Sequence, residues 1–127
     1  MRIDRLDHTV LTVADLGKTI TFYTEILGMG LVTFGEGRKA LTFGRNKINL
    51  HQAGDPFSPH AASPVPGSQD FCLIVDGSLD DVVEDLRRGG VAIELGPVDR
   101  TGATGTIRSV YVRDPDQNLV ELSVYTE

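Results

Sequence analysis

Apolar and polar positions alternate along Leu6 to Val13, a stretch rich in β-branched residues that places His8 on one face with Leu6 and Val10. The period then changes. Asp15 is placed to cap a helix from Leu16 to Leu27, whose stripe is Leu16, Ile20, Tyr23 and Leu27, and Gly28 ends it. Gly30 to Phe34 and Lys39 to Phe43 read as strands joined by a turn at Gly35-Glu36-Gly37, and Lys47 to His51 reads as a further strand. From Gln52 to Gln69 the period is lost; Pro56, Pro59, Pro64 and Pro66 mark a linker or an active-site loop. The order then restarts. Asp70 to Val75 is a strand, and Ser78 caps a helix with the stripe Leu79, Val82, Val83 and Leu86, closed by Gly89-Gly90. Val91 to Glu94 reads as a strand, Gly96 to Gly105 as a long turn-rich loop, and Ser109 to Arg113 and Leu119 to Tyr125 as two more strands. Asp114, Pro115, Asp116 and Asn118 form the polar turn between the last two.

Both halves therefore read β-α-β-β-β, and the second copies the first. Residues 7–13 overlie 69–75, and Ile48 to His51 overlie Val120 to Ser123. The expected architecture is α+β: two β-α-β-β-β modules forming a curved eight-stranded mixed sheet around a metal or substrate cavity, with the helices outside. A single domain over residues 1–127 is expected, with module one at 4–51, a linker at 52–69 and module two at 70–126.

Composition narrows the partners. With 40% hydrophobic and 24% charged residues the chain reads as an ordinary globular protein, and no apolar run is long enough to span a bilayer. A net charge of -6 argues against nucleic acid. Asp4 and Asp7 interrupt any signal-like N-terminal pattern, and the single cysteine, Cys72, precludes an internal disulfide; cytoplasmic residence is expected. Cys72 itself reads as a small buried packing residue.

The chemistry centres on Glu121. A carboxylate in mid-strand is costly to bury unless it is paired or bound to a metal. The internal repeat gives it partners: His8 on the first strand, Asp70 at the equivalent position of the second half, and Asn49 or His51 on the fourth strand. Asn49 and His51 share a face by the period of two, so either could meet the cavity. Imidazole is the better transition-metal ligand, which favours His51. The expected metal set is thus His8, His51, Glu121 and Asp70, with Asp70 alternatively a hydrogen-bond acceptor that orients a histidine. Arg38, Arg100 and Tyr111 are candidates for substrate contact, the arginines through forked hydrogen bonds to an anionic group. Arg113 reads as a structural partner of Asp114 or Asp116, and His60 as an exposed loop residue.

The repeat, His8, the segment Phe22-Tyr23-Thr24-Glu25-Ile26-Leu27-Gly28-Met29 and the block from Asp114 to Leu122 together resemble the vicinal oxygen chelate superfamily of glyoxalases, bleomycin-resistance proteins and extradiol dioxygenases. Arg38 to Leu41, Lys47 to His51, Pro64 to Ser68 and Gly96 to Ala103 make it most like the glyoxalase domain-containing protein 5 and bacterial virulence-associated group. The resemblance implies one divalent ion per site (Zn, Ni, Mn or Fe), a small substrate that chelates it through vicinal oxygens, and a homodimer. It implies a lactoylglutathione-lyase-like reaction, with Glu121 or Asp70 as the catalytic carboxylate that moves the proton. Other readings within the superfamily are a non-haem Fe(II) dioxygenase or a thiol transferase. Outside enzymology, the chain could be a metal-free drug-binding protein.

Overall fold

The structure, a computed structural model, describes residues 1–126. Contacts divide the chain into two compact units, Met1–Ser68 and one that begins at Gln69, so the boundary falls at the end of the proline-rich stretch. The first unit runs β1 (His8–Val13), α1 (Leu16–Thr21), β2 (Gly30–Phe34), β3 (Arg38–Phe43) and β4 (Asn46–Gln52). The second runs β5 (Asp70–Ile74), α2 (Leu79–Arg88), β6 (Leu95–Thr101), β7 (Thr106–Arg113) and β8 (Leu119–Tyr125). Eight strands are present among the described residues, seven of them where expected, hydrogen-bonded as two mixed sheets of four. Their orders, β1-β4-β3-β2 and β5-β8-β7-β6, are the same order repeated. In each, the first strand lies parallel to the last and the remaining neighbours are antiparallel.

Each helix starts where its sequence signal lies. The Asp15 carboxylate accepts from the Lys18 N–H at 3.0 Å, and the Ser78 hydroxyl accepts from the Asp81 N–H at 3.1 Å. The first helix changes pitch, however, continuing from α1 as a π-helical turn over Phe22–Ile26. The buried residues of α1 and this turn are Thr19, Phe22 and Tyr23, while Leu16, Ile20 and Leu27 of the expected stripe are only half-buried. Among the described residues no helix is long and apolar enough to cross a membrane.

Strand parity decides which side chains meet the core. In the second unit Val110, Val112, Val120 and Leu122 are buried, and so are Val82 and Leu86 of α2. The opposite face of β5 and β8 carries Asp70, Cys72 and Glu121 in register. Cys72 is accordingly exposed rather than buried, because it has the parity of Glu121 while Phe71 and Leu73 take the inward positions.

One part of the second unit departs from the reading of the sequence. Residues 91–94 form no strand, and the expected loop from Gly96 to Gly105 is mostly β6, turning at 102–105 into β7. Gly96-Pro97 suggested a turn, but β6 is the edge strand, where proline sacrifices no ladder hydrogen bond, and the register shifts between Leu95 and Val98.

The polar turn before β8 is as expected. Asp114 is buried and its Oδ1 accepts from the N–H groups of Asp116 and Asn118, while Oδ2 accepts from the Asn118 amide at 2.8 Å. The Asn118 Oδ1 in turn accepts from the Gln69 N–H at 2.9 Å, which ties the turn to the start of β5. Arg113 does not pair with Asp114 or Asp116 as expected; its guanidinium forks onto both oxygens of Glu94 at 3.0 and 3.1 Å.

Candidate functional site

In the second unit Glu121 stands on the open face of β8, directly across from Tyr111 on β7 and Cys72 on β5. These three, with Ile74, Arg100, Ile107 and Tyr125, line a cavity of about 350 Å³. Three small polar groups lie behind the carboxylate. The Ser109 hydroxyl donates to Glu121 Oε2 at 2.6 Å, Ser123 lies 2.6 Å from Ser109, and the Cys72 sulfur lies 3.3 Å from Ser123. An ionised carboxylate only accepts, and each hydroxyl has one hydrogen to give. Ser109 therefore donates to Glu121, Ser123 has one hydrogen to give to Ser109 or to Glu121 Oε2 at 3.4 Å, and the Cys72 thiol donates to Ser123. This chain holds one carboxylate oxygen and leaves Oε1 for the cavity.

Arg100 contributes from β6, not from a loop. Its Nε donates to the Tyr111 hydroxyl oxygen at 3.0 Å, which leaves the phenol hydrogen free to be given to something else. The cavity wall thus presents a donor at Tyr111 and an acceptor at Glu121 on adjacent strands. Although Cys72 is exposed as a residue, partial desolvation of its sulfur raises the thiol pKa, partly offset by the Ser123 hydroxyl, while the nearby Glu121 charge adds to the rise. Cys72 is therefore a protonated hydrogen-bond donor near neutral pH.

The first unit gathers different chemistry on the corresponding face. His51 is 2% exposed and neither ring nitrogen has a hydrogen-bond partner; Asn49, two residues before it, is buried with its Oδ1 likewise unpartnered. Phe57, from the proline-rich stretch, sets its ring edge-on to His51 with centroids 5.5 Å apart. Burial first, then the charges of Arg38 and His60, hold the His51 imidazole below its ordinary value. The sign of the linkage follows. A histidine that stays neutral in the fold costs nothing above pH 6.5, whereas below it the unfolded chain takes up a proton that the folded chain refuses. Stability is expected to fall as pH drops below about 6.5, before the carboxylates titrate. Urea melts of wild type and His51→Gln check this; an equally steep fall in the variant would assign it elsewhere.

His8 sits at the exposed start of β1, with Nδ1 2.8 Å from the Asp7 carboxylate. Since the carboxylate only accepts, Nδ1 carries the hydrogen, and in a neutral ring the lone pair is then on Nε2, the tautomer that metal-ligating histidines use. The parallel register pairs His8 with Lys47 and Thr12 with His51, so His8 and His51 are four steps apart, about 13 Å along the strands. Asn49 lies only two steps from the His8 level, and Asp70 and Glu121 show the same two-step offset in the second unit. Within neither unit are three His, Cys, Asp or Glu side chains gathered to hold an ion, as judged on the described residues. Donor chemistry of the right kind is nevertheless present: the Nε2 lone pair of His8, the exposed carboxylate of Asp70, Oε1 of Glu121 and the unpartnered nitrogens of His51. His60 is exposed, as expected.

Phe57, Ser109 and Ser123 were missed in the sequence reading. The parity of Ser109 and Ser123 with Tyr111 and Glu121 was available as a signal; nothing marked Phe57 beyond its being the one aromatic in a stretch of prolines and serines.

Comparison with known proteins adds the following. The family model described as the Glyoxalase/Bleomycin resistance protein/Dioxygenase superfamily matches residues 5–122. Virulence protein STM3117 of Salmonella typhimurium is 55% identical over 98% of this chain and 87% of its own length. Its crystal structure superposes with a TM-score of 0.97, covering 99% of this chain and 100% of that one. Glyoxalase domain-containing protein RDO1 of Mycosarcoma maydis is 54% identical over 100% of this chain and 72% of its own. A probable lactoylglutathione lyase of Vibrio parahaemolyticus is 29% identical over 93% of this chain and 88% of its own.

Proposed function

We propose, given that the chain belongs to the glyoxalase/bleomycin resistance protein/dioxygenase superfamily, that it is a divalent-metal-dependent enzyme of glyoxalase type. Its substrate would be small and bear two adjacent oxygens. The observation that carries this reading is Glu121, fixed by Ser109 on the floor of a cavity with one oxygen free and a phenol donor opposite. Such a carboxylate is placed to take a proton from the carbon beside a carbonyl group and return it to the neighbouring carbon. Tyr111, its oxygen already occupied by Arg100, gives its hydrogen to the substrate oxygen on which charge builds. Ile74 and Ile107 add apolar surface to the cavity beside that exchange. When bound, a divalent ion would supply Lewis-acid polarisation of the substrate oxygens, and the donors proposed for it within the second unit are Asp70 and Glu121. The probable lactoylglutathione lyase at 29% identity supports the reaction type.

The test couples metal content to turnover. Protein purified without chelator is analysed for Zn, Ni, Mn and Fe and assayed for formation of a lactoylglutathione-type thioester from an α-oxoaldehyde and glutathione. Stoichiometric metal in the wild type, lost in Asp70→Ala together with turnover, is the expected result. Turnover that survives complete removal of metal would overturn it.

A further inference from the structure

The cavity beside Glu121 has two ends, and the proposed reaction uses only one of them. Strand register sets three levels along β8. At the first, Glu121 stands between Tyr111 and Cys72; at the second, Ser123 lies between Ser109 and Ile74; at the third, Tyr125 faces Ile107. Tyr125 is thus four steps from Glu121 on the same strand face, about 13 Å along the strand. The hydroxyls of the middle level are buried and engaged with each other and with Glu121. Arg100 pairs with Ile107 in the register, but its side chain turns back. Its Nε donates to the Tyr111 hydroxyl at 3.0 Å and its Nη1 to the Asp99 carbonyl oxygen at 3.1 Å. The cavity therefore passes from polar at Glu121 to apolar at Ile74, Ile107 and Tyr125.

Tyr125 is braced at that apolar end. The N–H and the hydroxyl of Thr126 both donate to the Thr106 carbonyl oxygen, at 2.9 and 3.1 Å, which pins the end of β8 to β7. At the tip of the side chain, the Tyr125 hydroxyl oxygen accepts from the Thr104 N–H at 3.2 Å, in the turn between β6 and β7. That turn is closed by the Gly102 N–H, which donates to the Gly105 carbonyl oxygen at 2.7 Å. Gly102 is pressed onto the tyrosine. A Cβ there would sit 2.9 Å from the phenol oxygen and equally close to Ile107 Cγ2, so any side chain would push the turn away. The phenol ring is fixed at its backbone and at its tip, and forms the end wall of the cavity with Gly102 and Ala103.

We propose that Tyr125, braced by Gly102 and Thr104, is a specificity-determining residue that receives the substituent on the substrate's carbonyl carbon and selects a flat apolar group. This rests on the reading of Glu121 and Tyr111 as the reacting end. A charged substituent would give up water there and meet no charged side chain but Arg100, which is already bonded to Tyr111 and Asp99. A planar ring would bury apolar surface against Ile74 and Ile107 and gain the attraction between aromatic rings at Tyr125.

The probes are 2-hydroxyacetophenone and hydroxyacetone, which share a ketone beside a hydroxyl and differ in carrying a phenyl or a methyl group. Binding is measured by calorimetry on the protein as purified, with no thiol present, so turnover plays no part. The wild type is expected to prefer the phenyl ketone by at least about tenfold. In Tyr125→Leu that preference is expected to fall by about fivefold or more, with hydroxyacetone binding unchanged. Tyr125→Phe keeps the ring and loses the brace. It is expected to retain more of the preference than Tyr125→Leu, while the Thr104 N–H exchanges faster with solvent. The chain has three tyrosines, so the ring-proton signals of Tyr125 are identified by their absence in Tyr125→Phe, and the phenyl ketone is expected to move them. No binding of the phenyl ketone by the wild type, Tyr125 signals that it leaves in place, or an unchanged preference in Tyr125→Leu would each overturn the proposal. A protein that discriminates between the probes but turns nothing over would instead sink the reaction and leave Tyr125 in its role.

Discussion

Replacing Glu121 with glutamine is expected to lower kcat/KM by about a hundred- to ten-thousand-fold, with the fold intact. The amide oxygen of glutamine can still accept from Ser109, now 2.6 Å from the carboxylate, so the side chain keeps its place on the cavity floor. What disappears is basicity, since an amide does not take up a proton at any pH at which the protein is folded. The loss is expected mainly in kcat, because the group acts on the reacting carbon rather than on the ground-state complex. Steady-state kinetics with far-ultraviolet dichroism as the control for folding decide the matter. A variant that retains more than about a tenth of the activity would show that another group carries the proton. Ser109→Ala gives a finer reading: the base survives but loses the hydrogen bond that orients it.

Gly96→Ala is expected to destabilise the protein by about 3 kcal/mol, a fall in Tm of about 10 °C or more. Two observations combine. Gly96 has φ of 110°, a conformation that side chains with a Cβ rarely adopt. A Cβ there would also sit 2.4 Å from the carbonyl oxygen of Ser109 and 3.0 Å from Cα of Val110, both backbone atoms that cannot swing aside. Relief requires β6 to move off β7, which would carry Arg100 away from Tyr111 and displace Ser109. The variant should therefore lose activity as well as stability at temperatures where it is still folded. Thermal melts test the first effect; a change of less than about 1 kcal/mol would mean that β6 does not press on β7 as described.

Gly96 also shows where reading the chain falls short. A glycine followed by proline is a turn signal in almost any setting, and here it lies within a strand whose edge position excuses the proline and whose register shift needs the glycine. Whether a strand is an edge is a property of the whole sheet, so no window around residue 96 contains it. The π-helical turn at Phe22–Ile26 is a case of the same kind, since its stripe satisfies an ordinary helix until the packing of Thr19 and Phe22 is known. By contrast, the caps at Asp15 and Ser78, the Asp114 turn and the repeat of strand order are local or periodic, and were legible. For the site, period two correctly placed Asn49 and His51 on one face, and it could have placed Cys72 outward had the same rule been applied there. The spacing of His8 from His51 depends on how β1 registers against β4, which the sequence of neither strand specifies.

The repeated strand order has a consequence for how such a chain can change. Positions on the paired first and last strands of one half have counterparts in the other: Asn49 with Glu121, His51 with Ser123, Val10 with Cys72. A duplicated scaffold is in that sense written twice, and only one copy has to keep a given function. Here one copy carries a carboxylate among hydroxyls, while the other carries an amide at the matching position, with cations and aromatic rings on the same unit. Specialisation of this kind leaves the backbone untouched, so new binding chemistry can be tried in one half while the older chemistry continues in the other.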